Sequence, residues 1–305
     1  NSVSFSSTKN PDSSIDLDIN INENKKTGNF LVGGSFSGDT GLGFGIGLRD
    51  DNLFGSGNSL TSTIDLSSDR AFFKIDYLQD SQKNPFVKHR YRVFNSEDDL
   101  TSSYGYKVRE YGVGYSILFD LNKNTSISNG FLISDTNNHS PINSSNVVSE
   151  NITRSTKIKF SFNLNYDTTN DILYPTNGIR NYFSIDFLPE SISDEPLYKI
   201  HLNSDVYIKR KKDDGFLFMS NNIGHTDSLD GNLKTSNTFS LGGMNFKGFD
   251  YRGIGSFDGS IYLGGNNYFT STIGYGDNFL FDEKDNINLK FFYTLGSIWG
   301  SDYKN

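Results

Sequence analysis

Cysteine is absent from this chain, which rules out disulfides, thiolate metal sites and thiol catalysis. It says little about compartment, because many exported proteins also lack cysteine. Long apolar runs are missing too. No stretch approaches the roughly 18 consecutive apolar residues that a spanning helix requires, so any membrane crossing has to be made by strands. Apolar residues are scarce, 34% even with tyrosine counted, which is low for a soluble domain of this size. There is no cationic excess: the formal charge of −8 argues against a general nucleic-acid binder. The four histidines, His89, His139, His201 and His225, have no HExxH pattern or short-spaced carboxylate partner, so no metal site is expected. No Lys/Arg-led apolar segment stands at Asn1, so a signal peptide is expected to have been removed or to lie upstream.

Aromatic residues, in contrast, reach 14%, where a disordered chain would be depleted of them. Scarce apolar residues and abundant aromatics are reconciled by a polar-lined barrel whose outer face meets lipid, because half of every strand then stays polar without a dry core. The periodicity agrees. Thr156, Ile158, Phe160, Phe162, Leu164 and Tyr166 alternate with Lys157, Lys159, Ser161, Asn163, Asn165 and Asp167, the signature of a two-faced strand. Ile179, Phe183, Ile185 and Phe187 oppose Arg180, Ser184 and Asp186, and Tyr198, Ile200, Leu202, Val206 and Ile208 oppose Lys199, His201, Asn203, Asp205 and Lys209.

Such segments predict about thirteen strands, at 28–37, 41–50, 59–67, 70–79, 87–95, 104–119, 125–134, 156–167, 178–188, 197–209, 214–225, 262–275 and 286–299. A slip of apolar parity between Val108 and Tyr111 predicts a bulge. From mid-chain onward, compact links at 121–124, 174–178, 209–215 and 282–285 alternate with longer ones at 135–155 and 226–261. Short turns on one side and long loops on the other suit a transmembrane barrel. Gly41, Gly43, Gly45 and Gly47 fall on one strand face, where small residues let the wall curve or pack closely. The acidic pairs Asp50/Asp51, Asp98/Asp99 and Asp213/Asp214 fall in expected turns and read as solvated acids. The basic run Lys209 to Lys212 flanks the bilayer or meets anionic headgroups or an accessory lipoprotein. Ahead of the barrel, Ser14 to Glu23 alternates as one strand, read as the tail of a preceding soluble domain or simply as another barrel strand.

Four segments, in this order, span nearly the whole chain. Ile15-Asp-Leu-Asp-Ile-Asn-Ile21 precedes Lys26-Thr-Gly28; Arg49-Asp-Asp-Asn-Leu-Phe-Gly-Ser-Gly57 follows; then comes Leu173-Tyr-Pro-Thr-Asn-Gly-Ile-Arg180. The last is Leu241 to Gly255, containing Phe246-Lys-Gly-Phe249 and followed by Gly264-Gly-Asn266. Together they resemble the BamA family of outer-membrane-protein assembly factors, within a wider superfamily that includes two-partner secretion transporters and organelle sorting channels. The first is similar to the last strand of the final POTRA domain, the next two to the family's DN-(L/W)-(F/L)-G-(T/S)-G and (Y/F)PT-(D/N)-G-x-R turns. Phe246, Lys247, Gly248 and Phe249 occupy the place of the (V/I)-R-G-(F/Y) motif of the sixth extracellular loop.

The resemblance implies an all-β fold, an antiparallel transmembrane β-barrel of the bacterial outer membrane with about 13 strands of an expected 16 present, truncated and open. Residues 1–27 would be the end of a periplasmic POTRA domain and its linker, and 28–305 a barrel lacking its C-terminal strands. It implies a non-enzymatic role without catalytic residue or cofactor: folding and inserting β-barrel proteins through a lateral seam at the first strand, Asn29, Phe30, Leu31, Val32, Gly33, Gly34, Ser35, Phe36 and Ser37. Implied partners are nascent outer-membrane β-barrel proteins, accessory lipoproteins and outer-membrane lipid, with no nucleic acid. A porin-like channel and a polypeptide transporter are the alternatives. Two departures stand out. Lys247 replaces the motif's arginine, and the acids it would meet read Gly274 and Thr294, so the interior ion pair is absent. Lysine cannot present arginine's bidentate fork, which leaves the loop's anchoring contact unassigned.

Overall fold

The structure, a computed structural model, describes residues 2–12, 14–22, 27–37, 41–141, 146–210, 215–277 and 289–303. Lys25 and Lys26, Lys211 and Lys212, the pair Asp213/Asp214 and the link 282–285 lie outside the described residues. The chain opens with a hairpin, β1 (Ser2–Lys9) and β2 (Ile15–Asn22), whose strands pair only with each other. The strand expected at Ser14 to Glu23 is β2, and β1 is its additional partner.

Thirteen strands follow as one antiparallel sheet. They are β3 (Gly28–Ser37), β4 (Gly41–Asp50), β5 (Ser59–Ser67), β6 (Arg70–Asp80), β7 (Val87–Leu100), β8 (Tyr106–Asn122), β9 (Thr125–His139), β10 (Arg154–Asp167), β11 (Gly178–Leu188), β12 (Leu197–Lys209) and β13 (Phe216–Ser228), with β16 (Asn267–Asp277) and β17 (Leu289–Trp299) beyond the short pair β14 (Ser256–Phe257) and β15 (Tyr262–Gly264). Every strand pairs with its neighbour in sequence except across 229–266, where β13 meets β16. The sheet is open: among the described residues β3 and β17 are its two edges. The thirteen expected strands thus all appear in order. The segment expected at 262–275 divides, because Gly264 takes a left-handed φ of 75° and ends β15 before β16 begins.

Alternation separates the two faces of the sheet. Phe160 and Leu202 are exposed on the outer face, whereas Ser161 hydrogen-bonds Asp186 and Asn163 bonds Ser128 on the inner one. Aromatic pairing adds a rib on the outer side. Tyr77, Tyr91, Tyr115, Phe131, Phe160, Phe187 and Tyr198 are consecutive cross-strand partners, and such pairs stabilise a sheet by about 0.2 to 1 kcal/mol each. Tyr77 lies near the end of β6 and Tyr198 near the start of β12. Those positions belong to opposite ends of the sheet, so the row crosses the wall from one end to the other.

β7 to β10 run 14, 17, 15 and 14 residues, beyond the roughly 9 to 11 that a tilted strand needs to span a bilayer. Their surplus carries outer-face ion pairs, Arg109–Glu97 at 2.6 Å, Arg154–Asp135 at 3.0 Å and Lys107–Asp99 at 2.7 Å. Asp98 and Asp99, expected in a turn, belong to this surplus of β7, with Asp98 paired to Arg70.

The bulge expected between Val108 and Tyr111 does not occur. Register is continuous there, and the only shift on β8 lies at Asp120/Asn122. Val108 breaks the polar pattern of the inner face because it packs beneath a cluster of Tyr104, Tyr106, Val148, Ile261 and Leu263. Link lengths also sort less cleanly than expected: 189–196, on the long-loop end, is shorter than 168–177 on the other.

Candidate functional site

The segment 229–266, between β13 and β16, is held at the long-loop end by side chains from the links 101–105, 140–153 and 189–196. Its first half is a polar hub. Glu195, on the link 189–196 and buried, meets Lys157 at 2.8 Å and Lys234 at 2.7 Å, and accepts hydrogen bonds from Ser155 Oγ at 2.7 Å and Asn237 Nδ2 at 3.0 Å. Burial alone would push this carboxyl up. The charge and hydrogen bond of Lys157, with the bonds of Lys234 and Ser155, instead bring it down to about 2. Lys199 reaches in from β12, donating to Asn237 O at 3.2 Å with its ammonium 4.3 Å from the centre of the Phe239 ring.

A second tie runs to the short helix Asn146–Asn151 in the link between β9 and β10. Asn151 Oδ1 accepts from Thr235 N at 2.9 Å, Asn151 O accepts from Asn138 Nδ2 at 2.8 Å, and the Tyr106 hydroxyl lies 3.2 Å from Thr235 Oγ1. Thr238 Oγ1 sits within hydrogen-bond reach of the carbonyls of Thr235 and Leu263, at 2.7 and 3.0 Å. These contacts fold the segment back on itself, and isolated bridges Phe239–Gly265 and Leu241–Ile254 complete the return.

The motif itself sits apart from that hub. Lys247 is exposed, with its ammonium 5.4 Å from the centre of the Phe292 ring on β17, a geometry that supplies a modest cation–π attraction. Phe246 packs against Phe249 with ring centres 5.5 Å apart and planes tilted by 58°, and covers the inner face of Gly296. Gly248 has a left-handed φ of 95° in open space. The two positions where the resemblance expects acids are occupied differently. The Phe218 ring fills the space in front of Gly274, and Thr294 Oγ1 lies 2.9 Å from Thr272 Oγ1. Gly274→Glu is therefore expected not to restore an ion pair, because the new Cβ would lie 2.5 Å from both the Phe218 ring and Phe291 O. Overpacking of this kind costs about 1 to 3 kcal/mol. A lower denaturation temperature in detergent, unrelieved by adding Lys247→Arg, is the expected result.

The cation that the fold does bury is Arg252, 1% exposed. Its guanidinium lies 3.8 Å from the centre of the Tyr104 ring and donates to Tyr262 O at 2.9 Å. Nε and Nη1 have no protein acceptor among the described residues. Arg252 adopts a left-handed φ of 57°, uncommon for a residue with a long side chain. Sequence reading passed over both Arg252 and Glu195. Arg252 is the only arginine in 229–266, a signal that was available, whereas nothing around Ser193-Asp-Glu-Pro196 marks Glu195.

The first barrel strand presents a different geometry. Among the described residues β3 pairs with β4. On the inner face Leu31 faces Gly47 and Gly33 faces Gly45, and a Cβ built at Gly33 would meet nothing within 4 Å. Phe30, Leu31, Val32 and Phe36 are exposed. Asn29 to Ser37 thus meets β4 with little side-chain interlock.

Among the histidines, His89 bonds the Tyr115 hydroxyl at 2.8 Å, His139 bonds Ser140 at 2.9 Å, and His225 bridges Tyr198 and Asn267 at 2.9 and 2.7 Å. His201 stacks on Tyr268 across the inner face.

A family model described as the Omp85 superfamily domain matches residues 52–305. Among solved structures, the crystal structure of BamA from Haemophilus ducreyi lacking POTRA domains 1–3 aligns with a TM-score of 0.81 at 22% identity, over 98% of this chain and 63% of that one. CdiB from Acinetobacter baumannii aligns with a TM-score of 0.57 at 14% identity, over 97% of this chain and 55% of that one. The chain therefore spans less than two thirds of the length of either. At these identities the likeness is one of fold.

Proposed function

The chain belongs to the Omp85 superfamily, and from that premise we propose that it is an outer-membrane-protein assembly factor that folds and inserts other β-barrel proteins through a seam at β3. The observation that carries this reading is the weak side-chain packing along β3, a strand of exposed apolar residues in which a Cβ at Gly33 would meet nothing within 4 Å. A chain entering lipid must keep its backbone groups paired at every stage. An available edge lets client strands add by β-augmentation, and weak side-chain interlock at Gly33 and Gly34 favours its release from any partner strand. Phe246, Lys247, Gly248 and Phe249 belong to this reading as a loop element packed against β17, with Arg252 and Glu195 holding the segment in place. Residues 1–27 are read as the end of a periplasmic POTRA domain with its linker, supported by the self-paired hairpin β1–β2. Partners on this reading are nascent β-barrel proteins, accessory lipoproteins and outer-membrane lipid.

The absence of cysteine makes the test clean. With Val32→Cys on β3 and, as control, Val113→Cys on β8, a client stalled during assembly and carrying one cysteine in its terminal strand is expected to form a disulfide at position 32 alone. Depletion of the protein is expected to remove many unrelated barrel proteins from the outer membrane. Loss of a single solute's uptake, with the barrel proteins intact, would instead identify a porin. Loss of one exported polypeptide would identify a transporter.

A further inference from the structure

The two ends of the barrel treat apolar residues differently. The long-loop end buries two clusters, Tyr104/Tyr106/Val148/Ile261/Leu263 and Leu188/Leu197/Leu233, beside the exposed Ile192, Met244 and Phe249. At the other end each of the four links described throughout carries exposed apolar side chains: Phe54 on 51–58, Phe86 on 81–86, Leu121 beside 123–124, and Ile172 with Leu173 on 168–177. Phe54 is the extreme case. It is 97% exposed, and its backbone is left-handed at φ 54° and ψ 26°, a region that bulky residues seldom occupy.

The turn holds it there. Leu53 N donates to Asn58 O at 2.8 Å, Gly57 N to Asn52 Oδ1 at 2.6 Å, and Ser56 Oγ to Leu53 O at 2.6 Å. Asn58 Nδ2 then donates to the Tyr77 hydroxyl at 2.9 Å, tying the turn to the first member of the outward aromatic row. A strained backbone that presents an aromatic ring to water is unfavourable on both counts. Both are offset if the ring is seated in an apolar or interfacial medium.

We propose that these turn tips, with Phe54 foremost, are anchors seated in the headgroup–acyl boundary of the leaflet at that end of the barrel. The inference rests on the transmembrane reading of the sheet. Two observations favour lipid over a protein partner. The exposed residues are spread over successive links from β4 to β11, as a leaflet that surrounds the wall would meet them, whereas a protein would contact one sector. The links also carry mixed charge, Asp51 and Asp171 beside Lys83 and Lys123, which suits a zwitterionic surface.

The chain has one tryptophan, Trp299, so a Trp299→Phe background allows single-indole reporters. Phe54→Trp, Leu173→Trp and, as a wall control, Phe160→Trp are each reconstituted as the full chain into phosphatidylcholine vesicles brominated near the headgroup or near the chain ends. The indoles at 54 and 173 are expected to be quenched at least about two-fold more by the shallow bromines than by the deep ones, as interfacial aromatics are. The indole at 160 should respond to bromine at some depth. Turn reporters open to aqueous acrylamide and blind to both lipids, beside a quenched indole at 160, would overturn the anchor and leave the barrel reading intact. An unquenched indole at 160 would overturn both.

Discussion

Replacing Glu195 by glutamine is expected to lower the unfolding free energy by about 3 to 5 kcal/mol, the usual consequence of removing one partner from a buried ionic cluster. Lys157 and Lys234 would be left facing each other's charge, with only an amide between them. The pH dependence gives an independent check. The folded carboxyl titrates at about 2 against an ordinary 4.5, so its contribution is fully present above pH 4.5 and is lost as pH falls toward 2. That interval corresponds to about 3 kcal/mol at roughly 1.4 kcal/mol per pH unit. Urea unfolding in detergent, repeated between pH 5 and pH 2.5, should show the wild type losing more stability than Glu195→Gln, which keeps the other depressed carboxylates such as Asp99. A variant as stable as wild type at pH 7 would remove the hub from the account of how 229–266 is held. Glu195→Leu combined with Lys157→Met and Lys234→Met should recover much of the loss, because an apolar cluster of similar volume carries no unpaired charge.

Gly242→Ala should release the loop itself. Gly242 has φ 125° and ψ 169°, a region essentially reserved for glycine. A Cβ there would run into the Asp250 carbonyl oxygen and lie 2.9 Å from Gly253 N and 3.1 Å from Arg252 N. All three neighbours are backbone atoms and cannot move aside separately. Strain and clash together should cost about 3 kcal/mol or more, concentrated on 241–255. Trypsin reads this directly, since Lys247 is exposed and Arg252 is buried. Wild-type chain should be cut after Lys247 and resist cleavage after Arg252, whereas Gly242→Ala should be cut quickly at both. Gly248→Ala is the matched control, strained at φ 95° but with open space around it. Slow cleavage after Arg252 in the Gly242 variant would mean that the loop is held without this backbone geometry.

Both predictions concern residues that pattern reading did not reach, whereas the sheet was largely legible. Period-2 alternation at 156–167 gave the inner and outer faces correctly, because side chains on a strand point alternately by covalent geometry alone. The failures were equally physical. Val108 looked like a bulge because an apolar residue on the inner face makes sense only when something apolar covers it, and the cover, Ile261 and Leu263, lies far along the chain. The strand expected at 262–275 broke at Gly264, whose left-handed backbone is no different in sequence from that of any other glycine.

By itself, then, the order of residues determined an all-β chain of thirteen two-faced strands, the greasy side of each, and the membership suggested by its turn motifs. These are local properties, set by alternation and turn chemistry within a few residues. Only the tertiary structure decided that Arg252 and not Lys247 is the buried cation of the long loop, that Glu195 gathers two lysines from different segments, and that Phe54 is left standing in the open. Those outcomes depend on how staggered neighbouring strands bring their links together at one end of the barrel. Segments such as 101–105, 140–153, 189–196 and 229–266 meet there across separations that no sequence window spans.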